Sequence, residues 1–145
     1  MKTPRQVELE IQIVIVAFAE KIRTGKRSIP TSTHSLRVGL SLLALDYPME
    51  TCLGGFFHDI TEDTSMGGEY IRGLFGNRVH FLMQSCSLDP KIVEADEKEA
   101  EMELYQRVVA LAQSGDADPL RIKCADSLDN LRTNSALKTE WQADA

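Results

Sequence analysis

The sequence predicts an all-α, single-domain fold. Apolar residues recur at helical spacing in every long segment, no run alternates convincingly as a strand, and Gly, Pro and Asp-Pro signals punctuate the segments. A chain of 145 residues can bury one core without staples, so residues 1–145 are expected to form one bundle of about five or six helices.

The first helix is expected to open with Thr3 as N-cap and Pro4 in the first turn. It carries Val7, Ile11, Val14, Ile15, Phe18 and Ile22 on one face and stops at Gly25. Its apolar run from Ile11 to Ala19 is shorter than the roughly 20 residues of a membrane span, and it has neither the basic start nor the cleavage site of a signal peptide. The densest basic cluster follows, from Lys21 to Arg27. Lys21 and Arg23 suit the negative end of the helix dipole, whereas Lys26 and Arg27 lie past it and could reach a phosphate.

A second helix follows the capping region Pro30-Thr31-Ser32-Thr33, is opened by His34, and ends near Asp46-Tyr47-Pro48. A lone histidine in a first turn is by itself more often a capping or surface residue than a ligand. The third helix starts at Pro48 or Met49 and runs on through Phe57 into an acidic stretch, with Gly54-Gly55 allowing a neighbouring helix to approach. After a loop at 64–68, residues 69–85 read as one or two short helices broken near Gly76-Asn77, with His80 structural or on the surface. Leu88-Asp89-Pro90 is a turn, and 91–113 is expected as one long helix with a solvated acidic face. Asp118-Pro119 restarts a helix over 120–133, and 136–141 forms a separate last segment.

The formal charge of -6 and the pI near 5.1 argue against broad binding of nucleic acid or anionic membrane, so an anionic ligand needs a local basic patch. Cys52, Cys86 and Cys124 form no closely spaced pair, and they read as reduced, mostly buried thiols of a cytoplasmic protein.

Chemistry concentrates in Phe57-His58-Asp59-Ile60-Thr61-Glu62-Asp63-Thr64, where an apolar run ends in one imidazole and three carboxylates. If the helix continues, Glu62 lies four residues beyond His58 and Asp63 four beyond Asp59, on one face. Burying such groups unpaired costs several kcal/mol each, and a cation would offset that cost. A helix end turned to water is an equally good reading of this stretch alone. A second polar stripe, Asp126, Asp129, Asn130 and Thr133, runs along an otherwise apolar helix at i, i+3, i+4 and i+7.

The order of His34, then His58-Asp59, then Asp126 resembles the HD superfamily of metal-dependent phosphohydrolases. More narrowly, the run from His58 to Thr64 and the later Ala125-Asp126, Asn130 and Arg132-Thr133 are similar to the hydrolase domain of RelA/SpoT-type enzymes, which remove the 3'-pyrophosphate of the alarmone ppGpp. Glu50-Thr51 and Leu74-Phe75-Gly76 extend the likeness over most of the chain.

That resemblance implies an HD-type helical bundle with a central metal site. By it, His34, His58, Asp59 and Asp126 hold one divalent cation, typically Mn²⁺, and Glu62 and Asp63 handle the attacking water. Lys26 and Arg27 contact the nucleotide, while Asn130 and Thr133 line its pocket. The implied protein is a cytoplasmic, stand-alone hydrolase of the stringent response, without a synthetase domain. Its partner is a small-molecule nucleotide rather than nucleic acid or membrane, and an oligomer is compatible with it. Ser127-Leu128-Asp129 stands where the family usually has Arg-Leu-His; helical spacing is expected to set the Asp129 carboxylate near the bound phosphate, where either a basic neighbour such as Arg132 or Lys123 holds it or it raises the Michaelis constant for a highly charged substrate. An HD-type nucleotidase for another nucleotide, or a sensor without useful turnover, stays open as an alternative.

Overall fold

A computed structural model describes the backbone of residues 3–17, 22–23, 29–63 and 66–143, and side chains within 3–13, 33–62 and 66–133. The chain is all-α: α1 (Pro4–Ala17), α2 (Thr31–Ala44), α3 (Met49–Phe57), α4 (Ile60–Asp63), α5 (Gly68–Phe75), α6 (Asn77–Ser85), α7 (Pro90–Ala95), α8 (Glu97–Gln113) and α9 (Asp118–Ala143). Among the described residues, helices are therefore more numerous than the five or six expected. One expectation of no strand is corrected as well. Ile22–Arg23 (β1) and Ile29–Pro30 (β2) pair antiparallel, and two residues apiece are too few to display an alternating pattern. The first helix accordingly does not reach Gly25.

Two breaks have a side-chain cause. The helix expected to run through the acidic stretch stops at Phe57, because His58 Nδ1–H donates to the Gly55 carbonyl at 2.7 Å, the acceptor that residue 59 would need in a continuing helix. The chain turns at His58-Asp59 and restarts as α4. Likewise the helix expected over 91–113 is interrupted at Asp96, which turns to φ −160° and ψ 115° and caps α8 by accepting from Lys98 N at 2.8 Å and Glu99 N at 3.3 Å. Gly76, at φ 92°, makes the break expected between α5 and α6. By contrast α9 continues across 136–141, where the sequence predicts a separate segment.

Glycines set the helix spacing around the core. A Cβ on Gly39 of α2 would lie 2.3 Å from the Phe56 ring, and one on Gly55 of α3 would lie 2.7 Å from Leu42. On the other side of α3, a Cβ on Gly54 would meet Ile122 of α9 at 2.7 Å. Thus Gly55 seats α3 on α2 while Gly54 seats it against α9. The core between them is formed by Val38, Leu42, Leu53, Phe56, Leu82 and Ile122, all buried. Arg78 fixes the start of α9 through Asp116 and Asp118, and Arg107 ties α8 to the carbonyls of Gln84, Ser85 and Ser87 at the end of α6. Among the described residues no helix is long and apolar enough to cross a membrane.

Candidate metal centre

Four side chains from three places in the chain converge where α2, α3 and α9 meet. His34 comes from the first turn of α2, His58 and Asp59 from the turn after α3, and Asp126 from α9. One ligand atom of each lies within 4.8 Å of the others. His34 Nε2 is 2.9 Å from Asp126 Oδ1 and 3.7 Å from Asp59 Oδ2, while His58 Nε2 is 3.1 Å from Asp59 Oδ2 and 3.3 Å from Asp126 Oδ1. His34, His58 and Asp126 are buried, and the two imidazoles meet edge to face at 5.3 Å.

His58 tests whether this cluster suits a cation. Its Nδ1–H is spent on Gly55, so the Nε2 lone pair is what points at the carboxylates, and that atom is buried without a properly formed hydrogen bond. A buried nitrogen aimed among anions is satisfied either by a proton or by a metal ion. Two imidazole nitrogens and two carboxylate oxygens form a donor set suited to a divalent first-row ion. Without an ion, burial opposes the charged form of His58, but Asp59 and Asp126 prevail and push its pKa well above 6.5. Burial also works against the ionised carboxylates, yet the imidazoles hold Asp59 and Asp126 below the usual range, with Lys123 assisting at Asp126.

Asp126 is the hub of the surrounding polar groups. Its Oδ2 accepts from Lys123 Nζ at 2.6 Å, and its Oδ1 accepts from Asn130 Nδ2 at 3.0 Å. Lys123 lies over the Tyr105 ring at 5.2 Å, and the Tyr105 hydroxyl is 3.0 Å from Ser127 Oγ. Tyr105, Lys123, Ser127 and Asn130 line a cavity of about 290 Å³ beside the cluster.

Asp129 stands on the other side of the His34 ring from Asp126. It turns behind His34, with Oδ2 2.7 Å from His34 Nδ1, and its basic neighbour is Arg37 rather than Arg132 or Lys123. Arg37 Nε donates to Oδ1 at 2.7 Å and Nη2 to Oδ2 at 3.0 Å. Burial raises the cost of charging Asp129, but Arg37 and His34 hold its pKa below the usual carboxylate range. Lys123 is committed to Asp126 instead.

The other expected site residues divide. Asn130 adjoins the cluster, whereas Thr133 lines a different groove with Arg37 and Arg132, its hydroxyl donating to the Asp129 carbonyl at 2.9 Å. Glu62 is exposed, and its Oε1 accepts from Leu88 N at 2.5 Å. Lys26, Arg27 and the side chain of Asp63 lie outside the described residues. Arg37 and the Gly55 carbonyl were not anticipated. Arg37 stands three residues after His34, one helical turn along the same face, and that spacing was its only signal.

Residues 13–145 match the HD domain family. The chain belongs to the HD domain family. Among curated relatives, this HD domain is 36% identical over 143 residues to a GTP pyrophosphokinase of Streptomyces coelicolor, covering 97% of this chain and 16% of that protein. It is 30% identical over 127 residues to the bifunctional (p)ppGpp synthase/hydrolase SpoT of Escherichia coli, covering 88% of this chain and 18% of that one. The HD domain thus spans less than a fifth of the length of either relative. A solved metazoan orthologue of SpoT, described as hydrolysing ppGpp, shares the fold at a TM-score of 0.71 and 24% identity, over 91% of this chain and 71% of its own. A Listeria monocytogenes structure gives 0.66 at 26% identity over 81% and 68%.

Proposed function

We propose that residues 1–145 form a single hydrolase domain that uses one divalent cation, Mn²⁺ in the first instance, to convert ppGpp and water into GDP and pyrophosphate. The observation that carries this reading is the cluster of His34, His58, Asp59 and Asp126, buried at all but Asp59, with His58 Nε2 left without a hydrogen bond. These four residues would hold the ion. When bound, it would lower the pKa of water and offset the charge of a phosphate.

The chain's own groups account for the rest. Lys123, braced by Asp126 and the Tyr105 ring, supplies a cation beside the cavity that would take part of the nucleotide. A divalent ion held by the cluster would offset the charges of Asp59 and Asp126 and so reduce their repulsion of a polyphosphate. Asn130 orients Asp126. Glu62 or Asp63 takes the proton of the attacking water as its oxygen bonds to phosphorus. The bond from phosphorus to the ribose 3'-oxygen breaks, and that oxygen takes up the proton that the acid received from water, without a covalent intermediate. In this reading the setting is cytoplasmic, the partner is a small molecule, and neither nucleic acid nor membrane is involved.

A second reading, an HD-type nucleotidase for a different nucleotide, is favoured by one observation: Ser127 lines the cavity where the family usually has arginine. One experiment separates the two. Purified protein loaded with Mn²⁺ is offered ppGpp, GTP and deoxynucleotides, and the products are resolved by ion exchange. Release of GDP with pyrophosphate from ppGpp is the expected result, and turnover of another nucleotide alone overturns it.

A further inference from the structure

Both nitrogens of His34 are engaged, by two different carboxylates of α9. Nε2 faces Asp126 at 2.9 Å, within the cluster, whereas Nδ1 faces Asp129 at 2.7 Å on the opposite side of the ring. His34 is 2% exposed and Asp129 8%, so water does not compete freely for either contact. Arg37 engages both oxygens of Asp129, which keeps that carboxylate ionised and therefore an acceptor only. Each ring nitrogen thus faces an acceptor, and if a cation took the Nε2 side, the one proton of neutral His34 would sit on Nδ1, where Asp129 accepts it.

We infer that the Arg37–Asp129 pair positions His34 for metal binding, fixing its ring orientation and its Nδ1–H form. The inference rests on the reading of the four-residue cluster as a metal site and concerns groups outside it. A hydrogen-bond acceptor behind a ligating imidazole fixes its ring orientation and the place of its proton. His58 receives the same service from a backbone carbonyl, Gly55, which carries no charge. Asp129 does carry one, and Arg37 cancels it one helical turn beyond His34. α2 thus supplies a ligand and the clamp on its support, while α9 supplies a ligand, Asp126, and the support itself. This role also removes Asp129 from the substrate: both of its oxygens are already bonded on the side of His34 away from Asp126. Arg37 and Asp129 are positioning residues, and neither touches the ion.

Calorimetric titration of the apo protein with Mn²⁺ tests this on wild type, Asp129→Asn, Arg37→Gln and the double variant, with thermal midpoints of each apo form recorded alongside. Asp129→Asn is expected to weaken Mn²⁺ binding by about 10- to 100-fold, the usual cost of losing the group behind a ligand. Arg37→Gln, on a side chain 43% exposed and so tolerant of change, should weaken it by a smaller factor. The double variant should fall within about twofold of Asp129→Asn, because Arg37 acts through Asp129. Arg78→Gln, which breaks the Asp116 and Asp118 contacts, should lower the midpoint and leave Mn²⁺ affinity unchanged, the signature of a purely structural residue. If Arg37→Gln and Asp129→Asn bind Mn²⁺ as wild type does, the positioning role is overturned while the metal site stands. If wild type itself takes up no divalent ion, the metal site falls and the positioning role falls with it.

Discussion

His34 Nε2 lies 2.9 Å from Asp126 Oδ1, joining the first turn of α2 to α9 across a sequence separation of 92 residues. Both groups are buried, so their pairing depends on the packing of α2 and α9 rather than on either helix alone.

Metal binding and chemistry should divide between Asp59 and Glu62. Asp59→Asn removes one of two cluster carboxylates and is expected to lose metal and activity together, as measured by metal content after gel filtration and by product release. Glu62→Gln or Asp63→Asn should keep the metal and lose roughly 10²- to 10⁴-fold in turnover, the usual worth of acid/base assistance. Full activity in Glu62→Gln would leave Glu62 only as a tether for Leu88, to which it is bonded at 2.5 Å.

The pKa of His58 gives a pH dependence with a definite sign. It is raised in the folded apo protein, so the native state holds a proton that the unfolded state releases above 6.5. The stability contributed by this group is fully present below 6.5 and is lost as pH rises through the raised pKa. A metal ion replaces that proton, so its affinity rises with pH. The gap between the thermal midpoints of metal-loaded and chelated protein should therefore widen from about pH 6 to about pH 9. A constant gap would show that ion and proton do not compete for His58.

Substrate preference should respond to Ser127 and not to Asp129. Ser127→Arg places a guanidinium at the cavity shared with Lys123 and Asn130. A charge-assisted hydrogen bond worth about 1.5 kcal/mol would lower the Michaelis constant for ppGpp roughly tenfold. The constant for a nucleoside monophosphate should move much less. Equal shifts on both substrates would place residue 127 outside the part of the pocket that reads phosphate number.

Close helix packing at Gly39 should be visible in stability. Its Cβ would stand 2.3 Å from Phe56, and overpacking of this kind costs about 1 to 3 kcal/mol, more than the ~1 kcal/mol that alanine gains in helix propensity. Gly39→Ala is expected to lower the urea midpoint. Gly73→Ala, in α5 with nothing within 4 Å of the added atom, should raise it.

The helical class, the break at Gly76 and the order His34, His58-Asp59, Asp126 were legible because each depends on local spacing or on residue type within a few positions. The order of these residues carried a family resemblance, and it was that resemblance, not the spacing, that implied a donor set of two imidazoles and two carboxylates. The sequence by itself did not determine where α3 ends: the His58 ring takes the Gly55 carbonyl from the backbone, a competition between two local hydrogen bonds that periodicity does not encode. Nor did it determine the place of Asp129. Both Asp126 and Asp129 lie on one stripe of α9, and only the seating of α2 against that stripe puts one on the cluster side of His34 and the other behind it with Arg37. Tertiary structure decided that difference because an imidazole has two nitrogens on opposite sides of its ring, and which carboxylate meets which nitrogen depends on how the two helices pack.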